Sequence, residues 1–212
     1  MKKMKVDVPF YPNTKDDTHC YQACVKMALK RIYPKRNFTY KKLERLFNKP
    51  KDKYSWVPSA AINLNKMGLK TKLIATFDYR KFARNGYEYL RSHYPKEFAD
   101  VQIKMSDIES EMENAKRMLK HNLYEKRKLS MGNINRLFKE GWLIIPNVNS
   151  HTLSHKKGYA GHAVLIIGIA RNYVHLHDPG LPPRPNRKVS KKTFLKALRF
   201  PKNESHVLII KN

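Results

Sequence analysis

The feature that most constrains this chain is a change of hydrophobic period at Gly141. Before it, apolar residues recur at helical spacing. From Cys20 the small or apolar positions Cys20, Ala23, Cys24, Met27 and Ala28 share one face until Pro34 ends the pattern. Asp17 or Thr18 is the expected N-cap of that helix, since either side chain can accept from a free first-turn amide. Further helices are expected at about 39–48 and 56–67, the second ending at Gly68, followed by a strand over 69–77. The segment 78–120 reads as two helices. One runs from Tyr79 to Tyr94, and one is opened by a capping box, Ser106-x-x-Glu109, with Ile108, Met112, Ala115 and Leu119 on one face.

After Gly141 the pattern becomes short apolar runs: Trp142 to Val148, Ala163 to Ile169, the alternating Tyr173 to His177, and Val207 to Ile210. These read as four strands. Arg171-Asn172 is short enough to close a hairpin, which makes the second and third strands antiparallel. The expected architecture is α+β: a helical N-terminal half packed on a mainly antiparallel sheet from the C-terminal half, in a single domain over 1–212 with a helical insert at about 78–120.

Composition narrows the function classes. No stretch approaches the roughly 18 consecutive apolar residues of a membrane span, and Met1 to Lys5 leads into Val6-Asp7-Val8 rather than an apolar signal core. A cytoplasmic location is therefore expected, with no membrane partner. The two cysteines, Cys20 and Cys24, are too few and too close for a disulfide framework and too few for a zinc site, so neither metal nor cofactor is assigned. The formal charge is +27. Residues 1–77 carry 18 Lys/Arg against 5 Asp/Glu and 114–212 carry 20 against 4, while 78–113 carry 6 against 8. Such a field attracts polyanions without sequence preference. The basic residues are not interleaved with a base-stacking motif, which argues against specific nucleic-acid recognition.

Chemistry concentrates at three positions. A thiol attacks a carbonyl as the thiolate, which a helix N-terminus and a neighbouring imidazole both stabilise. Cys20 stands in the first turn of its helix. His162 opens an apolar strand after Gly158-Tyr159-Ala160-Gly161, and Asp178 ends the next strand at His177-Asp178-Pro179-Gly180. If those strands form the expected hairpin, His162 and Asp178 meet at one edge, where the carboxylate can fix the imidazole tautomer. Taken singly, each residue has a plainer reading. Cys20 could be a small buried hydrophobe and Asp178 a turn residue in Asp-Pro-Gly. His177, one residue from Asp178, should point to the opposite face. His19 should tune the thiol or face solvent, Cys24 should be core, and Asn147 and Asn149 either line a cleft or end their strand.

These segments resemble the C39-like branch of the papain-like cysteine peptidases, related to the processing domains of bacteriocin exporters. The similarity lies in the lead-in Val8-Pro9-Phe10-Tyr11, the helix Cys20-Tyr21-Gln22-Ala23-Cys24-Val25-Lys26-Met27, the run Gly161-His162-Ala163-Val164-Leu165-Ile166-Ile167-Gly168, and Asp178-Pro179-Gly180. It covers about residues 6–34 and 141–200. The resemblance implies a papain-like fold, with Cys20 as nucleophile, His162 as base and Asp178 as the group that orients it, and the absence of the exporter's membrane and ATPase segments makes a stand-alone form the expectation. It also implies an oxyanion donor ahead of the nucleophile. The family usually has Gln there, whereas the nearest amide in register here is Asn13, one methylene shorter. The family commonly has Gly and Pro after the nucleophile where this chain has Tyr21 and Gln22. Gln22 is a second donor candidate, though an exposed helix glutamine is its plainer reading. The expected function is a cysteine hydrolase, a peptidase by resemblance, acting on a peptide or amide carbonyl. Alternatives are an amidase or acyltransferase on the same three residues, or a non-catalytic basic module that binds polyanions.

Overall fold

The structure, a computed structural model, describes residues 4–199 and 204–212. The front half runs β1 (Met4–Lys5), α1 (Cys20–Ile32), α2 (Tyr40–Phe47), α3 (Val57–Lys66), β2 (Lys70–Ala75), α4 (Tyr79–His93), α5 (Lys96–Lys104), α6 (Ile108–Lys120) and β3 (Tyr124–Lys126). The back half follows as α7 (Met131–Lys139), β4 (Leu143–Asn149), α8 (Ser150–Leu153), β5 (Gly161–Ala163), β6 (Leu165–Ile169), β7 (Tyr173–Asp178), β8 (Arg184–Ser190), α9 (Lys191–Leu198) and β9 (His206–Lys211). The fold is α+β as the change of period implies.

All the described strands form one sheet ordered β3-β2-β9-β4-β6-β7-β8, with β1 on β6 and β5 on β4. Only β2 and β3 run parallel. The expected hairpin is present. β6 and β7 are antiparallel, with Leu165 opposite His177, and Ala170 N–H closes the turn on the Tyr173 carbonyl at 2.9 Å.

The central strands are buried on both faces, and their side chains divide by parity, as a two-residue period demands. Leu143, Ile145, Leu165, Ile167, Leu208 and Ile210 face the core built by α1 to α4 and α6. Ile144, Ile166, Val207 and Ile209 face a second core closed by α7 and α9. Burying each of these aliphatic side chains contributes about 1.5–3 kcal/mol relative to leaving it in water, so the sheet needs a layer on each side.

The expected helices and strands occur within a few residues of their predicted limits; β3, α8, β8 and α9 come in addition, and three further local differences stand out. The cap of α1 is His19, with no side-chain cap bond, rather than Asp17 or Thr18. The loop ahead of it is organised from within: Asn13 Oδ1 accepts the His19 N–H at 2.8 Å, Asp16 Oδ1 accepts the Thr18 N–H at 3.3 Å, and Asp17 takes a left-handed conformation with φ 55°. At α6 the cap is Asp107, which accepts the Ser110 N–H at 3.2 Å, because Ser106 is occupied by the Trp56 indole at 2.9 Å. The insert also holds three helices rather than two. α5, with Ala99 as its one fully buried residue, carries too thin an apolar stripe to be read from the sequence.

Within α4 the helix kinks at Gly86, at φ 30° and ψ −101°. A Cβ built there would lie 2.2 Å from Met112 Sδ of α6. Glycine thus serves both the backbone and the close approach of the two helices. Gly86→Ala should lower the unfolding free energy by about 1–3 kcal/mol, read as a reduced urea midpoint. Pairing it with Met112→Ala should recover part of that loss.

Candidate active site

Cys20 is the first residue of α1, which packs against β4, β5 and β6. As first-turn groups, the Cys20, Tyr21 and Gln22 amides have no carbonyl four residues back within the helix, so the helix presents donors and the positive end of its dipole beside the thiol. Cys20 is half-buried, whereas Cys24 one turn on is fully buried. Burial pushes the Cys24 thiol well up, with the charges of Cys20 and Asp178 adding to the effect, which keeps it an inert core thiol.

His162 lies on β5, opposite Val148 of β4, just ahead of β6, which continues the same register on β4 and also pairs with β7. Its Nε2 is 2.7 Å from Asp178 Oδ1. Both groups are buried, at 8% and 4% exposure, so the pair is shielded from water. That use of Nε2 leaves Nδ1 as the ring nitrogen for the thiol. Burial pushes the imidazole toward its neutral form, but hydrogen bonds with Asp178 and Cys20 outweigh it and raise the His162 pKa to about 10. For Asp178, burial is outweighed by His162, by Arg187 and by the Gly180 N–H, which together lower its pKa to about 2. The structure thus brings Cys20, His162 and Asp178 into one cluster.

Asn13 is buried and adjoins this cluster through its backbone, whose N–H donates to the Pro179 carbonyl at 2.8 Å. Its side-chain orientation follows from Oδ1, which accepts from both Thr14 N–H and His19 N–H. One Nδ2 hydrogen goes to Asp17 Oδ1 at 2.6 Å, which leaves one more. Gln22 is not an exposed helix residue. It is wholly buried, with Nε2 on Ser55 Oγ at 2.7 Å. His19 does not face solvent either: it is 5% exposed and its Nε2 meets Glu44 Oε1 at 2.7 Å. His177 points away from the cluster as strand alternation requires, with Nε2 on the Val8 carbonyl at 2.9 Å. Asn147 backs the base by accepting the His162 N–H at 3.3 Å, and Asn149 caps α8.

Three residues at the site were given no role from the sequence. Gly180 lies against the base: a Cβ built on it would stand 3.2 Å from His162 Cε1 and Nε2 and 3.1 Å from Asp178 Oδ1. Tyr159 covers Gly161, where a Cβ would stand 2.7 Å from the tyrosine hydroxyl. Arg187 Nη1 donates to Asp178 Oδ2 at 2.6 Å. The two glycines could have been suspected from their place beside His162 and Asp178. Arg187 sits in a run with Arg184 and Lys188, where nothing distinguishes it.

The coupled pair gives stability a defined pH window. A His162 pKa raised to about 10 contributes stability that is complete below its ordinary 6.5 and lost as pH climbs toward 10. An Asp178 pKa lowered to about 2 contributes stability that is complete above 3.8 and lost as pH falls toward 2. Asp178→Asn should therefore cost most between about pH 4 and 6.5, on the order of 2–4 kcal/mol. The deficit should shrink toward both extremes, as read from urea midpoints across pH. Gly180→Ala should crowd the imidazole and the carboxylate together and lose part of that stability. Its mark is a loss of about tenfold or more in the His162-dependent reactivity of Cys20, measured by timed alkylation.

No protein-family model matches the sequence, and no curated protein does. Among solved structures, the chain is similar to a double glycine motif protease from an AMS/PCAT transporter, crystallised in complex with its leader peptide. That likeness has a TM-score of 0.51 at 11% identity, over 99% of this chain and 95% of the other. A second similarity is to the peptidase domain of Streptococcus ComA, a bifunctional ABC transporter of a quorum-sensing pathway, with a TM-score of 0.49 at 13% identity over 96% and 98%. The first comparison spans nearly the whole of both chains, and it establishes that this protein has the fold of a double-glycine, C39-type peptidase domain.

Proposed function

We propose that the chain is a cysteine hydrolase of the peptidase type, with Cys20 as nucleophile, His162 as base and Asp178 as the group that orients the base. The observation that carries this reading is the 2.7 Å contact between His162 Nε2 and Asp178 Oδ1 on the far side of the imidazole from a half-buried thiol at a helix start. The fold supports peptide as the substrate class, since its structural relative is a protease bound to a leader peptide.

The chemistry then runs by nucleophilic acyl transfer. The Cys20 thiolate adds to the peptide carbonyl carbon, forming a C–S bond while the carbonyl pair moves onto oxygen. The first-turn amide of Cys20 and the remaining Nδ2 hydrogen of Asn13 are the candidate donors to that oxygen, and such donors lower the barrier where the charge develops. The tetrahedral adduct collapses as imidazolium His162 passes its Nδ1 proton to the leaving nitrogen, and the C–N bond breaks. Water, deprotonated by the same nitrogen, then adds to the thioester and expels the thiolate. Asp178 keeps its charge throughout and holds Nε2–H, so the ring can gain and lose a proton only at Nδ1.

The test has two parts. Iodoacetamide alkylation of Cys20, followed by mass spectrometry, should be fast below pH 7, and His162→Ala should slow it by about tenfold or more and move it toward the ordinary thiol range near 8.5. Peptides carrying a double-glycine motif should be cut by the wild type and not by Cys20→Ala. A thiol indifferent to His162 would sink the catalytic reading. A reactive thiol with transfer to an added amine in place of hydrolysis would keep the three residues and make the protein an acyltransferase.

A further inference from the structure

The cluster around Asp178 does not end at three residues. Arg187 lies on β8, whose register against β7 places it opposite Leu176 and so diagonally across from Asp178. The ladder shifts by one residue between Leu176 and Asp178, at a bulge in β8 where Asn186 has φ 55°. From there the Arg187 side chain, 11% exposed, runs inward. Its Nη1 donates to Asp178 Oδ2 at 2.6 Å, and its Nη2 donates to the Leu153 carbonyl and, at 3.2 Å, to Ser154 Oγ.

Each carboxylate oxygen of Asp178 is therefore occupied. Oδ1 accepts from Gly180 N–H at 3.1 Å and pairs with His162 Nε2, while Oδ2 is taken by the guanidinium. A carboxylate held at both oxygens cannot rotate about its terminal bond, so its orientation, and with it that of the imidazole, follows from where Arg187 is anchored. The charges lead the same way. A reactive state with a thiolate, an imidazolium and a carboxylate carries a net charge of −1 in a buried site, and one guanidinium makes it neutral. Buried ions persist when they are paired and hydrogen-bonded, and a fork-shaped donor suits a carboxylate better than a point charge does.

We infer that Arg187 is a positioning residue for the hydrolase: it fixes the Asp178 carboxylate through Oδ2, offsets the carboxylate charge beside the thiolate–imidazolium pair, and ties Asp178 to the turn at Leu153–Ser154. The inference rests on the Cys20–His162 reading and adds a fourth member to it. The charged and titratable groups that face Asp178 are His162 from β5, Cys20 and Cys24 from α1, and Arg184 and Arg187 from β8. Of the two arginines, Arg184 is exposed and opposite Asp178 only in backbone register, so the contact belongs to Arg187.

The experiment is the pH profile of Cys20 alkylation by iodoacetamide in the wild type, His162→Ala, Arg187→Gln, Arg187→Lys, Asp178→Asn and the double variant Arg187→Gln with Asp178→Asn. Glutamine keeps an amide donor for the Leu153 carbonyl and so guards the fold, which thermal melting checks. Removing the cation lets Asp178 take up a proton at higher pH and weakens the thiolate–imidazolium pair. The pH at which alkylation falls to half on the acidic side should rise by about one unit in Arg187→Gln. Arg187→Lys, which restores charge without the fork, should rise by less than half as much. In the Asp178→Asn background, Arg187→Gln should add no further shift, because Arg187 acts through Asp178.

An Arg187→Gln profile that coincides with wild type, with only a lower melting temperature, would overturn the proposal and leave Arg187 a structural tie between β8 and α8. An equal shift in the Asp178→Asn background, or identical profiles for Gln and Lys, would overturn it as well. Failure of the underlying reading is seen separately, as a wild-type profile that His162→Ala leaves unchanged.

Discussion

Burial of the central sheet on both faces is the constraint from which the rest follows. Every residue of β6 is buried, and β4 and β9 alternate between two cores. A strand with water on neither side must be roofed twice, and the chain builds one roof from the front-half helices and the other from α7 and α9. The first roof brings α1 down on β4, β5 and β6 with its N-terminus at the end of the sheet. Cys20 reaches His162 because of that packing, without any local sequence relation between them.

The same packing sets the electrostatics. Asp178 and His162 are buried by the sheet and by the loops over its end, and burial alone would drive both to their neutral forms. Mutual hydrogen bonding reverses this for both at once. The site is a low-dielectric place where a charged pair persists only as a pair, and the pattern of two groups pushed to opposite extremes by one contact is typical of acid–base machinery. His206, in contrast, is half-buried with two tyrosine hydroxyls as neighbours, and burial lowers its pKa to about 4. The two histidines are pushed in opposite directions, His162 by its hydrogen bonds with Asp178 and Cys20 and His206 by burial.

What the sequence disclosed follows from this. The strands Leu143–Asn149, Leu165–Ile169 and His206–Lys211 were legible because two-sided burial makes them continuous apolar runs, and the β6–β7 hairpin because its turn is short. The placement of His162 and Asp178 at one edge followed from that hairpin, although His162 sits on a short strand ahead of β6 that pairs with β4 and not with β7. β8 was not legible. Arg-Pro-Asn-Arg-Lys-Val-Ser has neither alternation nor an apolar run, since it is the sheet's outer strand and lies largely in water. Arg187 was hidden for that reason: its inward turn comes from a bulge and from pairing with a residue nine positions away. The cap of α1 is His19 and not Asp17 or Thr18, because the polar residues ahead of the helix satisfy one another before they satisfy it.

That last loop links the two halves of the site. Asn13 accepts the N–H of His19, the residue before the nucleophile, while its own N–H is held by the carbonyl of Pro179, the residue after Asp178. One residue therefore sets the start of α1 against the end of β7. A chain break or a longer loop between residues 13 and 19 would leave both cores intact and still let Cys20 drift relative to the imidazole. An asparagine suits this role better than the longer glutamine, because its short side chain reaches its own loop's amides. The methylene by which this side chain is shorter than a glutamine is thus matched by the work it does in the loop.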